Sequence, residues 1–520
     1  MQTQSLLEHQ HARAASCGNQ CCKKNKLLKD NVHGTIELHE LCAAIVDTQC
    51  FQRLRDLKQL GCVYSVFPSA SHNRFEHSLG VSYLAGKFAK HLQERQPELK
   101  ITDKEVVCCQ VAGLCHDLGH GVLSHAFDDF VNSMCQQPDT SSTSPAPAPD
   151  LLVSHEQRSL ALLDHIISTS VSVQNMMRHY DINAEDIVFI KDLIMGDTHT
   201  DSETDLETEE ETTDQTDQTV QSVQSAGQAC RAHPYRFTGR RNKEFLFQIV
   251  ANKDTGIDVD KFDYLARDAL MTGVGSTFDA LRLICCSSVL WYGSKLQICF
   301  HEKEAWNIYE MFHTRYSLHK RVYKHRVSSV VTRMMVDALV EADKAGFAPL
   351  VDAGNQPTRI SEAISKVAAF AGLSDSVLWE LQRSTHPKFA AARDLLMRVS
   401  NRLLYVFIGE EVVLETSPKA LFLKNLEATL LKECCLITPS DVFIDVVQID
   451  YGMKDRNPVD KVGFFGRASK GVVSAKCLQK QTISCLAPQV YMEAYVRLYI
   501  KDMDPAKVKQ AKDFWALFID

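Results

Sequence analysis

Apolar residues recur at three-to-four spacing through most of the chain, a period that predicts helices. Glu76–Leu92 and Asp103–Cys115 show it first, within a stretch from about residue 27 to 132 that reads as helical. His155–Ser168 and Ala184–Met195 follow, and the pattern resumes at Lys243–Val250 and Asp258–Leu270. It then runs from Glu302 to about Ala345 and continues over residues 360–403. Beyond about residue 441 the period changes. Val442–Ile449 and Val462–Phe465 read as strands, and Gln489–Ile500 and Ala506–Leu517 as closing helices. The expected architecture is mainly α: a helical body carrying a small α/β C-terminal lobe, with no internal repeat.

Polar segments punctuate this pattern. Residues 1–25 read as a disordered tail ending in the basic cluster Lys23, Lys24 and Lys26. Pro138–Asp150 has the Ser, Thr, Pro and Ala content of a loop. An acidic Thr/Gln/Ser stretch after Met195 is expected to be disordered. The organisation predicted is a tail at 1–25, a core at 26–440 with polar inserts at 133–153 and 197–232, and a lobe at 441–520.

Composition narrows the classes. At 520 residues and 45% hydrophobic, the chain can bury a large core, which excludes disorder throughout. No apolar run reaches the ~18–20 residues of a membrane span, and the first twenty residues lack a signal-peptide core. The net charge of −8 is local, because Asp197–Asp217 holds ten acids and no Lys or Arg. Without that segment the chain is slightly positive, so bulk charge does not indicate strong non-specific nucleic-acid binding. The 18 cysteines show no paired CxxC spacing. They read as reduced thiols of a soluble intracellular protein of the nucleus or cytosol.

Phosphate-loop, HExxH, GxSxG and convincing GxGxxG motifs are absent. The chemistry lies instead in Gly113-Leu-Cys-His-Asp-Leu-Gly-His-Gly121, followed by His125 and Asp128. An apolar helix there delivers His116 and Asp117, both metal-ligand types, at its end. A lone His-Asp pair is more often structural, so partners from elsewhere must complete a site. Mixed His and Asp ligands suit Fe, Mn, Zn or Ni. Arg74 and His77 stand three apart and share a helical face. Asp260, Tyr264 and Asp268 stand at i, i+4 and i+8, as do Arg315, His319 and Tyr323. An Arg, a His and a Tyr in one row suit a triphosphate and a sugar.

These residues carry a family resemblance. His77, His116-Asp117 and Asp260 follow the H…HD…D signature of HD-domain metal phosphohydrolases. Phe51-Gln-Arg-Leu-Arg, Ser71-His-Asn-Arg-Phe-Glu-His-Ser-Leu-Gly80, Cys115–Gly121, Gly256-Ile-Asp-Val-Asp-Lys261 and Met311-Phe-His-Thr-Arg315 resemble, in order, the vertebrate SAM- and HD-domain-containing deoxynucleoside triphosphate (dNTP) triphosphohydrolase family. The likeness runs from about residue 26 to 519. The short stretch before residue 26 predicts a SAM-less member, and the polar inserts look longer than the family's loops.

The resemblance implies that His77, His116, Asp117 and Asp260 hold one iron, manganese or zinc ion, with magnesium on the nucleotide phosphates. Water would attack the α-phosphate of a dNTP, giving deoxynucleoside and inorganic triphosphate. It implies acid–base roles for His120, Asp128 and His155, and a triphosphate clamp of Arg74, Lys261, Tyr264 and Arg315. Gln59, Leu60, Asp268 and Tyr323 would select deoxyribose. Activation by GTP or dGTP plus a dNTP, in a homotetramer, is implied at Lys26, Asp47, Gln52, Arg55, Lys303, Asn307, His325, Arg326 and Arg402. Three departures bear on activation: Lys29 stands where the family commonly has Asn, His301 where it has Arg, and Arg326 where it has Lys. The biological roles implied are control of the dNTP pool and antiviral defence. Two other classes are set against this reading. One is a catalytically weak regulatory paralogue binding single-stranded nucleic acid, and the other is an HD phosphohydrolase of a different nucleotide.

Overall fold

The computed structural model describes residues 25–136, 154–196, 243–413, 419–467, 474–484 and 488–519. Residues 1–24 of the expected tail at 1–25, most of the first insert and the whole insert at 197–232 lie outside them. The helix Ala126–Gln136 covers the first four residues of the 133–153 insert.

Three helices build the centre. Arg74–Arg95 opens with a capping box between Asn73 and Glu76 and buries Phe75, Val81, Leu84, Phe88 and Leu92. Asp103–Cys115, boxed by Thr102 and Glu105, packs along it and is apolar on nearly every side, as an interior helix must be. Val259–Thr272 crosses the first helix, with Asp258 as its N-cap. The ends of these helices meet. His77 lies in the first turn of one, His116 and Asp117 follow the last turn of the second, and Asp260 lies in the first turn of the third.

The loop after His116 is fixed from below by two buried arginines. Arg53 donates to the carbonyls of Leu118, His120 (3.0 Å) and Leu373 (2.7 Å). Arg158 donates to Gly119 O at 2.8 Å. Ser159 Oγ accepts from Gly119 N and donates to His116 O. These bonds seat the helix His155–Thr169 against the loop. Gly119 permits the approach, because a Cβ there would stand 2.0 Å from His155 O and 2.5 Å from Ser159 N.

Several elements depart from the helical expectation. Lys26–Asp30 and Gly34–Leu38 form an antiparallel hairpin, as do Ser287–Tyr292 and Lys295–His301. The long stretch from Glu302 divides into Ala305–Leu318, a π-helical turn His319–Tyr323, and Arg326–Lys344. Gln489–Ile500, expected as a helix, is instead the strand Met492–Ile500. It is the central strand between Val406–Val413 and Val442–Asp450 in an antiparallel sheet. Its last seven residues are all buried, so the apolar–polar alternation of a half-exposed strand is missing. The sheet also draws on residues upstream of 441. Leu426 and Leu430 pack with Val496, Leu498, Phe514 and Trp515 in a separate small core. No helix among the described residues is long and apolar enough to cross a membrane.

The Gly119 contact yields a test. Gly119→Ala is expected to destabilise the fold by about 2–3 kcal/mol through overpacking against main chain. Chemical denaturation measures this, and an unchanged midpoint would contradict the packing described.

Candidate metal centre and active site

His77 Nε2 lies 3.1 Å from Asp260 Oδ1 and 3.4 Å from Asp117 Oδ2. His116 Nε2 lies 3.3 Å from Asp260 Oδ1 and 3.5 Å from Asp117 Oδ1. Ligands bound at about 2.0–2.2 Å around one cation have separations of this order. Both imidazoles are set to ligate through Nε2. His116 Nδ1 donates to Gly113 O at 2.8 Å and His77 Nδ1 donates to Asp263 Oδ2 at 2.8 Å, so each Nε2 is the ring atom turned to the carboxylates. His116 Nε2 is buried and has no hydrogen-bond partner.

The charges agree with the geometry. Burial opposes a charge on His77, yet its bonds to Asp260 and Asp263 outweigh that and lift its pKa to about 10. His116 is also raised, against burial, by Asp117 and Asp260. Burial would raise Asp117, but Arg74, His116 and His120 hold its carboxyl well below the usual range. Buried Asp117 and half-buried Asp260 thus draw positive charge, whether proton or metal ion, toward the Nε2 atoms of His77 and His116. This donor set fits a divalent cation.

Arg74 links the centre to a cavity of about 990 Å³. It donates to Asp117 Oδ2 at 2.5 Å, Ser124 Oγ at 3.0 Å and Gln59 O at 3.2 Å. Gln59, Leu60, Tyr264, Asp268 and Tyr323 line the same cavity. Asp268 accepts from Tyr323 OH at 2.5 Å and from His72 Nε2 at 2.7 Å, while Gln59 Oε1 is buried without a partner. His120 Nε2 lies 3.3 Å from Asp117 Oδ1, and its ring stacks on that of His155 at 4.4 Å. Asp117, His120 and His155 form a second cluster of ligand-type atoms beside the first. Lys261 instead faces a smaller recess of about 130 Å³ behind the centre, where its Nζ meets Asp258 at 3.0 Å.

An HD-domain family model matches residues 74–146, a span that includes His77, His116 and Asp117. The chain is 38% identical to "Deoxynucleoside triphosphate triphosphohydrolase SAMHD1" of Homo sapiens, over 94% of this chain and 72% of that protein. It is 38% identical to the Gallus gallus protein of the same name, over 99% and 78%. It is 33% identical to the SAMHD1 homolog of Dictyostelium discoideum, over 94% and 80%. This chain belongs to the SAMHD1 family.

Two expected site residues of this SAMHD1-family chain are engaged elsewhere. Asp128 lines neither cavity and instead pairs with buried Arg158 at 2.6 Å. Arg315 is held by Asp450 of the C-terminal sheet, through its main-chain carbonyl and through Oδ1 at 3.1 Å. The expected activator positions line neither cavity. Lys26 pairs with Asp47 at 3.0 Å, Gln52 Nε2 donates to Val46 O, and Arg55 donates to Gln52 and covers the Phe75 ring. Lys303 follows the His301 cap and Asn307 bonds Asp279 O. His325 caps the Arg326–Lys344 helix, Arg326 lies over Phe407, and Arg402 donates to Ser65 O.

Residues absent from the expected site also shape it. His125 and His319 line the cavity, and both stood within the motifs read from the sequence. Asp375 accepts from Leu123 N at 2.7 Å and Lys58 N at 2.9 Å, across more than 250 residues, and no local signal marks it. It braces Leu123 and Ser124, whose φ values of 60° and 57° are unusual for side-chain-bearing residues and cost of order 1 kcal/mol or more each.

Three cavity histidines, His120, His125 and His319, are held neutral. Burial and Arg74 keep His120 far below the ordinary imidazole value and push His125 down to about 4. Burial and Arg315 lower His319. Unfolded, these groups protonate near 6.5. Between about pH 6.5 and 4 the unfolded chain therefore binds more protons, and stability falls as pH falls through this window. Melting followed from pH 7 to 4.5 should show this decline, and should show it reduced in His125→Phe.

Proposed function

We propose that the chain hydrolyses dNTPs to deoxynucleoside and inorganic triphosphate, with His77, His116, Asp117 and Asp260 holding one iron, manganese or zinc ion. The observation that carries this reading is Arg74. One guanidinium binds the carboxylate shared with the donor set and also reaches Ser124 and Gln59 in a cavity large enough for a nucleotide. Membership of the SAMHD1 family supports the same substrate class.

The cation, when bound, would polarise the α-phosphate and lower the pKa of attacking water. Arg74 and Tyr264 supply donors for the triphosphate from the cavity wall. Lys261 and Arg315 join them by leaving Asp258 and Asp450. At the sugar, Asp268 and Tyr323 are already bonded to each other, so an added 2′-hydroxyl would find an occupied wall, while Gln59 Oε1 offers a free acceptor to a hydroxyl donor. Water adds to the α-phosphorus, the bond to the 5′-oxygen breaks, and that oxygen takes a proton. His120, His125 and His155 are the groups placed to move it. Burial, and after it the field of Arg74, keeps His120 and His125 neutral. An anionic triphosphate would offset the Arg74 part of that effect and ease their protonation as substrate binds. Asp128 acts through Arg158, as a positioning group for the loop that carries His120.

The reading extends to regulation. Lys26, Asp47, Gln52, Arg55, Lys303, Asn307, His325, Arg326 and Arg402 would bind GTP or dGTP and a dNTP between subunits of a homotetramer. Control of dNTP pools in nucleus or cytosol would follow, with antiviral defence as a consequence.

Purified protein with Mg²⁺ and added Fe²⁺ or Mn²⁺ is expected to release triphosphate from dNTPs but not from NTPs. Asp260→Ala should reduce the rate by more than about 100-fold. Release that needs GTP supports the activator positions, and release without it removes them. No release from a metal-loaded protein would overturn the enzymatic reading in favour of a regulatory one.

A further inference from the structure

The metal-ligand helix carries a buried charge network on the side away from the cavity. Asp263 lies one turn beyond Asp260 with a fully buried side chain, and each of its oxygens accepts twice. Oδ2 accepts from His77 Nδ1 at 2.8 Å and Arg267 Nε at 2.9 Å. Oδ1 accepts from Arg267 Nη2 at 2.8 Å and His33 Nε2 at 2.7 Å. Arg267 is itself clamped, since its Nη1 donates to Asp30 Oδ2 at 2.9 Å.

Asp30 and His33 belong to the turn between the strands Lys26–Asp30 and Gly34–Leu38. Asp30 Oδ1 accepts from the main-chain N–H groups of Val32 and His33, at 2.9 and 2.8 Å, and so shapes the turn that presents the His33 ring. The two turn residues therefore reach Asp263 by two routes, His33 directly and Asp30 through Arg267. The network has little room to rearrange. A Cβ at Gly80, on the His77 helix, would stand 1.8 Å from Asp263 Oδ1 and 2.7 Å from Arg267 Nη2.

We propose that the N-terminal hairpin turn is an outer support of the metal centre, with Asp30 and His33 acting as positioning residues that fix the His77 imidazole through Asp263. The proposal rests on the reading of His77 as a metal ligand. Losing the His33 donor, or the Asp30 anchor of Arg267, shifts the carboxylate from its present position, and the His77 ring shifts with it, because Nδ1 has no other partner. Outer partners of ligating histidines typically change metal affinity by about 10- to 100-fold. The first strand of the hairpin is largely solvent-facing. A surface element 230 residues away in sequence from Asp263 thereby governs the cation's ligand geometry.

A purely structural tether predicts a different result, and Co²⁺ binding separates the two. The full chain is stripped of metal and titrated with Co²⁺, reading affinity by chelator competition and geometry by the visible d–d bands. Melting of the stripped protein is measured alongside. His33→Ala and Asp30→Asn are expected to weaken Co²⁺ binding at least tenfold and shift the bands, with the melting point of the stripped protein little changed. His33→Gln, whose amide can donate from the same place as Nε2, should return affinity to within about threefold of the parent. Unchanged Co²⁺ affinity and bands in both weakened variants would overturn the proposal. So would a loss of affinity that His33→Gln does not relieve. If His33→Ala fails to fold, Asp30→Asn and His33→Gln decide by the same criteria. Parent protein that binds no Co²⁺ would sink the metal reading and this proposal together. Weakened binding in the variants, with no triphosphate released by the parent, would uphold the proposal and reject the dNTP reading alone.

Discussion

The site is organised by one buried carboxylate. Asp117 offers one oxygen to Arg74 and His77, and the other to His116 and His120. An ionised group at this depth is tolerable only when its lone pairs are used and its charge is met. Meeting that demand places an arginine and three histidines around Asp117, and with them the ends of the helices that carry them. The three-helix centre is in this sense a means of surrounding one anion.

The same arginine divides the site electrically. On the metal side the carboxylates dominate and favour positive charge on His77 and His116. On the cavity side burial, and after it Arg74, holds His120 and His125 neutral. Histidines a few residues apart in one motif thus sit at opposite ends of the imidazole range. That separation follows the local charge, with carboxylates on one side and burial beside Arg74 on the other. The buried arginines below, Arg53 and Arg158, bond mainly to carbonyls and keep the loop between these regions in one shape.

Local periodicity made much of the body legible. Asp103–Cys115 and Ala184–Met195 have the bounds their patterns predict, and the i, i+4, i+8 row of Asp260, Tyr264 and Asp268 does lie on one helix. What local pattern missed depends on distant partners. Met492–Ile500 is buried as a central strand, which erases the alternation that distinguishes a half-exposed strand from a helix. The N-terminal hairpin was absorbed into a helical reading because its strands are only five residues long, and the strands Ser287–Tyr292 and Lys295–His301 fell between the helical patterns. Asp128 and Arg315 stand in suggestive motifs, but their ion partners, Arg158 and Asp450, lie 30 and 135 residues away. Asp263 reads as one more acid on a polar helix face until His33 and Arg267 close over it.

The donor residues come from positions 77, 116–117 and 260, and no two of these segments are joined by a short loop. Half of a binding site cannot form early in folding and wait for the rest. The full donor set exists only when the whole centre has closed, so a cation held there as proposed would select the native chain over every partly assembled form. Its binding energy would then add to global stability, by about 4 kcal/mol at a free concentration a thousandfold above its dissociation constant. Fold and cation would in that case be lost together.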